Sequence, residues 1–282
     1  MIALFISGEE LPEIPVLLPL CHDGNEAFIG QYSNLRDTKT NTCNQKMMCK
    51  FNCSIGASAE FVNTKCSIMH LDKSMSLLHD HNRRILVIGD SYAEQLFTEA
   101  HLWCHQHIKQ ANYCNMIMFH NAPLLTQILP PFTANETLAK ALIVHPNTTD
   151  IIVTTGNHWG PLKGFINTTE TAQLYQEMLT EAAHAINRWN PNVHLIWYDI
   201  PPPHQLLIVA GPNQILYNQL AKETLKPLIK HIIFLNTSEF ILERIRLQPH
   251  ATTKNRHYCQ GHKGSVPEAL LTRILSLLAA WI

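Results

Sequence analysis

What this sequence lacks narrows its possibilities first. Its apolar runs, such as Met1 to Ile6, Ile14 to Leu20 and Ile85 to Ile88, fall far short of the roughly 20 residues a helix needs to cross a bilayer. No membrane span is therefore expected in this chain. There is no excess of positive charge either: 21 Lys+Arg against 22 Asp+Glu leave a formal charge of -1. Without a bulk basic field to meet phosphates, nucleic acid is not an expected partner. No repeat of solenoid length and no low-complexity tract occurs, and Pro201-Pro202-Pro203 is too short to be more than a stiff turn. Disorder is not the default, because 282 residues with 46% hydrophobic side chains can bury a substantial core.

CxxC pairs are missing as well, although there are eight cysteines. Cys21, Cys43, Cys49, Cys53 and Cys66 cluster early, Cys104 and Cys114 follow, and Cys259 stands near the end. The pattern points to a disulfide framework. The rival is zinc, for which Cys49 with Cys53 is half a site and Cys104 with His107 lacks a second pair at finger spacing. Five N-x-[ST] sequons, at Asn52, Asn135, Asn147, Asn167 and Asn236, favour an oxidising compartment: the secretory pathway, Golgi lumen or cell exterior. The address label for that route is poor, since Met1 to Ser7 has no basic n-region and meets Glu9 and Glu10 almost at once. A signal peptide or anchor upstream of the given start is the expectation, and a cytosolic protein with accidental sequons is the alternative.

Residues 1–80 are polar and rich in cysteine and asparagine, with neither sustained helical nor alternating periodicity. They predict a stapled, loop-rich segment packed on the domain that follows. Over 81–282 the pattern changes to short β-branched runs alternating with longer amphipathic stretches, the mark of an α/β domain with a parallel sheet. Strands are predicted at 85–88, 115–119, 150–154, 194–198 and 232–235, and helices at 92–109, 136–144, 169–189, 213–229, 238–245 and 266–280. Five strands with interleaved helices make one three-layer α/β/α sandwich.

Three places carry candidate chemistry. In Ile85-Leu-Val-Ile-Gly89-Asp90-Ser91-Tyr92 a buried strand runs through a tight turn into a helix. That seats Ser91 at the carboxyl end of a sheet strand, where ligands bind in open α/β folds and a helix N-terminus favours an oxyanion. Ser91-x-x-Glu94 is equally a capping box, in which the serine merely caps the helix. The loop after the third strand gathers Gly156, Asn157, His158 and Trp159. There Asn157 can donate to a developing oxyanion and Gly156 lets a substrate approach the backbone, or the loop simply makes turn hydrogen bonds. The third place is Arg256-His257-Tyr258-Cys259, just before a helix announced by Ser265-Val-Pro267-Glu268. Among 17 histidines, His257 gains weight from company, because a nucleophilic serine needs an imidazole within reach and usually a third group to orient it.

These three blocks, in this order, resemble the PC-esterase domain of the trichome birefringence-like family in the SGNH/GDSL hydrolase superfamily. The likeness extends to Gly30-Gln31-Tyr32 and to the Trp197–His204 segment with its proline turn, so it spans roughly Cys21 to the C-terminus. It implies an SGNH-like sandwich and acyl-ester chemistry on polysaccharide or glycoprotein glycans: an O-acylesterase or O-acetyltransferase. Carried over by position, Ser91 is the nucleophile and His257 the general base. The Ser91 backbone N–H with Gly156 and Asn157, or His158 in Asn157's place, holds the oxyanion beside Gly89, Asp90 and Trp159. Such acyl transfer needs no cofactor and no metal.

One departure stands against the match. The family places an Asp three residues before the histidine, and this chain has Lys254 there, with no Asp after Asp199. A replacement carboxylate is expected from Glu239, Glu243, Glu268 or an earlier loop, unless a backbone carbonyl orients His257. The second reading is a catalytically impaired glycan-binding protein of the same fold, its Trp159 and Tyr258 stacking on sugar rings. A metal centre around His101, Cys104, His105 and His107 is the third, and an exposed polar helix face accounts for those residues.

Overall fold

The computed structural model describes residues 18–39, 55–89, 91–107, 116–120, 142–154, 168–199, 211–247 and 265–282. Its sheet is built from runs such as Ile85-Leu86-Val87-Ile88, apolar on every residue, which suit a parallel strand covered on both faces. The strands are β3 (Ile85–Gly89), β4 (Met116–His120), β5 (Asp150–Thr154), β6 (His194–Tyr198) and β7 (Ile232–Leu235), parallel in the order β4-β3-β5-β6-β7. Alternation then sorts the side chains into two cores. Val87, Ile152, Ile196 and Tyr198 face one way, and Leu86, Ile151, Leu195 and Trp197 face the other.

Each face has its helices. On the first lie α1 (Leu71–Asp80), α2 (Ser91–His107), α5 (Ser238–Leu247) and α6 (Val266–Ala279); on the second lie α3 (Thr168–Trp189) and α4 (Gly211–Leu225). This is the three-layer α/β/α sandwich expected from the sequence. Its first parallel strand ends at Gly89, and α2 begins at Ser91. The start of α6 follows the cap written in the sequence: the Glu268 N–H donates to Ser265 Oγ at 3.2 Å, with Pro267 in the first turn. The predicted helix over 136–144 lies mostly outside the described residues. No helix among the described residues is long and apolar enough to cross a membrane.

The amino-terminal segment is more regular than its composition suggests. Strands β1 (Gly30–Lys39) and β2 (Ile55–Asn63) pair antiparallel and α1 follows, where the sequence reading expects loops. The register shifts between Ser33 and Arg36, beside Asn34 at φ 50°, and this bulge breaks the alternation that betrays a strand. Helix α1 did carry a signal, since Leu71, Ser74, Met75 and Leu78 are buried at helical spacing.

A disulfide joins Cys21 to Cys66, 45 residues apart, a closure worth about 4 kcal/mol in the chain-entropy picture. Cys104 is also disulfide-bonded, to a cysteine outside the described residues. Polar staples do the rest. The Arg273 guanidinium donates to Ala27 O at 3.1 Å just ahead of the hairpin, to Phe61 O at 3.3 Å in β2, and to Ala269 O at 2.8 Å on its own helix. It lies 4.5 Å from the Phe61 ring and 5.0 Å from that of Phe240. Tyr32 donates its hydroxyl to Phe240 O at 3.0 Å, and burial holds its proton on far above the ordinary range. Burial also pulls Arg244 and Arg273 down to about 10, which leaves both charged at neutral pH.

Candidate active site at the carboxyl edge of the sheet

Parallel strands share one carboxyl edge, and the register fixes who stands on it. Gly89 pairs with His120 on one side and Thr154 on the other, and Val153 with Trp197 and Tyr198 with Leu235 continue the line. Gly89, Thr154, Tyr198 and Leu235 therefore form one row across the rim. Ser91 opens α2 two residues past that row, and Asp199 follows β6 one residue past it.

The turn into α2 depends on Gly89. Its φ of 151° lies where L side chains rarely go, and a Cβ there would stand 2.0 Å from the Thr154 carbonyl oxygen. Glycine thus lets β3 and β5 meet backbone to backbone at the point where the chain turns toward Ser91. Behind the turn, Tyr92, Ala93 and Leu96 are buried and lock the first turns of α2 onto the sheet. The start of that helix brings its positive dipole end to the rim.

Of the predicted site residues, Gly89 and Ser91 are brought together here. Asp90, Gly156, Asn157, His158, Trp159 and His257 lie outside the described residues, as do Lys254 and Tyr258. The strand that precedes Gly156 in sequence ends at Thr154, in register with Gly89. Thr154 Oγ1 is buried and has no hydrogen-bond partner among the described residues.

Two rim residues escaped the sequence reading. His120 closes β4 in register with Gly89, and its place at a strand end was the available signal. Asp199 follows β6 directly, ahead of the proline turn, and its N–H donates to Leu235 O at 3.3 Å. Burial pushes its carboxyl up to about 7, with the Lys222 cation of α4 pulling the other way. A carboxyl poised there can give or take a proton near neutral pH.

The carboxylates offered from the sequence as substitutes for the missing Asp sit elsewhere. Glu239 is exposed in the first turn of α5, and Glu243 bears on the Tyr32 hydroxyl of the hairpin. Glu268 occupies the first turn of α6. The third reading, a metal centre on α2, loses a ligand, since Cys104 is buried and disulfide-bonded. Its burial also departs from the exposed polar face expected there. His101 stacks on Phe97 with ring centroids 5.9 Å apart.

No family model matches the chain, and neither does any curated protein. Among solved structures it is similar to a carbohydrate esterase family 2 enzyme with a carbohydrate-binding domain, from Corynascus thermopiles (Myceliophthora fergusii). The TM-score is 0.42 at 12% identity, over 81% of this chain and 71% of that one.

Proposed function

We propose that this protein is a serine acylesterase or O-acetyltransferase acting on a glycan through an acyl-Ser91 intermediate. The observation that carries the reading is the Gly89 turn, which delivers Ser91 to the carboxyl rim of a parallel sheet at the N-terminus of a buried helix. Ser91 Oγ attacks the ester carbonyl carbon while His257 takes its proton. The oxyanion accepts from the Ser91 backbone N–H, with Gly156 and Asn157 or His158 beside it. Collapse breaks the ester C–O bond, and His257 returns the proton to the departing sugar oxygen. Water or a second sugar hydroxyl then attacks the acyl-serine, which gives hydrolysis or transfer from one machinery.

Secretory-pathway or extracellular residence belongs to the same proposal. The Cys21–Cys66 and Cys104 disulfides support it, as do the sequon residues Asn147 and Asn236, both exposed.

The test is p-nitrophenyl acetate turnover by the disulfide-intact protein, with mass spectrometry of the quenched enzyme. Ser91→Ala and His257→Ala are each expected to lower turnover by at least 10³-fold, and the acetyl adduct is expected on Ser91. Substantial activity in either variant overturns the assignment. Glycan binding that survives Ser91→Ala, with no acyl-enzyme formed, marks a binding protein instead.

A further inference from the structure

An open edge strand offers unpaired N–H and C=O groups to any other strand, so proteins cover such edges or blunt them. Strand β7 ends the order β4-β3-β5-β6-β7 and has a paired neighbour on one side only. Toward β6, His231 O and Leu235 O accept from the Leu195 and Asp199 N–H groups at 2.8 and 3.3 Å. Successive residues of a strand turn their backbone groups to opposite sides, so Ile232 and Phe234 direct theirs to the open edge. Their side chains pack against the second core and hold the strand in place.

The segment ahead of β1 lies on that edge. A Cβ on Gly24 would stand 2.5 Å from Phe234 O, 2.6 Å from Ile233 Cγ2 and 3.0 Å from Leu235 Cδ2. Glycine thus brings backbone against the outward carbonyl, where any side chain would push it off. The cover is by contact alone: among the described residues no backbone hydrogen bond joins this segment to β7. Its grip comes from its two ends. At the first, Cys21 is bonded to Cys66, the Cys21 N–H donates to Ser67 O at 3.1 Å, and the Ser67 N–H donates to Pro19 O at 2.7 Å. At the second, Ala27 O accepts from Arg273 Nε at 3.1 Å, and the Phe28 ring meets that of Phe240 with centroids 5.3 Å apart.

We infer that residues 21–28 are a strap, latched by the Cys21–Cys66 disulfide, that keeps β7 from pairing with a second copy of this chain. A cover with no hydrogen bonds to the edge protects it only while its ends hold. A dithiol opens the latch: its first thiolate attacks one sulfur, its second displaces the mixed disulfide, and the dithiol leaves oxidised while Cys21 and Cys66 become thiols. The freed edge suits its own copy. In antiparallel pairing about a two-fold axis, the Ile232 and Phe234 donors of one chain meet the same residues' acceptors in the other, and the contact closes at two chains. A formal charge of -1 sets up little repulsion between copies. No residue of the acyl-Ser91 reading takes part, so the strap stands or falls apart from it.

The experiment compares the full chain as wild type, as Gly24→Val, and as Cys21→Ser with Cys66→Ser, each checked for folding by circular dichroism and thermal unfolding. By sedimentation velocity at micromolar concentrations, wild type is expected to be a monomer and both variants dimers. Amide hydrogen exchange at Ile232 and Phe234 is expected to slow at least about tenfold in the dimers, because those N–H groups gain partners, while Ile233 and Leu235 stay as in wild type. Ile232→Pro removes an outward donor without touching a bond to β6, and is expected to return Gly24→Val to the monomer. A folded variant of either kind that stays monomeric overturns the inference. So does a dimer in which exchange at Ile232 and Phe234 is unchanged, or a wild type that already pairs through β7. If loss of the two cysteines prevents folding, Gly24→Val, with every disulfide intact, decides alone.

Discussion

Two aspartates sit at opposite edges of the same sheet, and their surroundings are opposite too. Asp150 opens β5 at the amino edge, fully buried. Burial alone would raise its pKa, but Arg83 donates Nε to it at 2.8 Å and Nη2 to its other oxygen, Thr149 donates at 2.6 Å, and His194 stands at 3.2 Å. Those partners win and hold the carboxyl below its usual range. Asp199 follows β6 at the carboxyl edge, where among the described residues Lys222 alone pulls its pKa down, and burial wins. The amino edge is saturated and serves stability. At the carboxyl edge the Asp199 carboxyl accepts no hydrogen bond from the described residues.

The largest effect should come from breaking the saturated edge. Asp150→Ala leaves the Arg83 guanidinium, whose side chain is 12% exposed, beside His194 with no anion, a kind of loss that costs about 3–5 kcal/mol. Urea unfolding of wild type and variant at pH 7 measures it, and a loss under about 1 kcal/mol would mean that water replaces the carboxylate. The sign with pH follows from the depressed pKa. Asp150 contributes stability above its unfolded value of about 3.9, and the contribution disappears as pH falls through the lower folded value.

Asp199 is expected to behave in the reverse sense, with a somewhat smaller effect. Its folded pKa of about 7 lies above the unfolded value, so the folded state holds the proton more tightly. Its contribution is complete below about pH 3.9 and is lost as pH rises through 7, up to about 4 kcal/mol in all. Unfolding free energies of wild type should therefore decline between pH 5 and 8 relative to Asp199→Asn, in which this dependence vanishes. Parallel curves for the two proteins would show that the Asp199 carboxyl is solvated.

This contrast also explains what the sequence could reveal. All five parallel strands and most helix limits were legible because a two-sided strand needs an unbroken apolar run, as in β3, and a helix such as α6 advertises its cap. The β1–β2 hairpin was hidden because its apolar contacts are made by a few aromatics, Tyr32 and Phe61 against Phe240, across a bulge. At the site, Gly89 and Ser91 were legible as a strand-turn-helix joint. Asp199 was not, because its character comes from burial and from its strand's place in the sheet, and neither is local in sequence.

The smallest expected effect tests the comparison most finely. Lys254 stands where the resembling family keeps an Asp three residues before His257. If an orienting carboxylate is what limits an acyl-Ser91 mechanism, Lys254→Asp should raise p-nitrophenyl acetate turnover by about tenfold. An unchanged rate would show that His257 is already oriented by another group, or that the serine does not turn over.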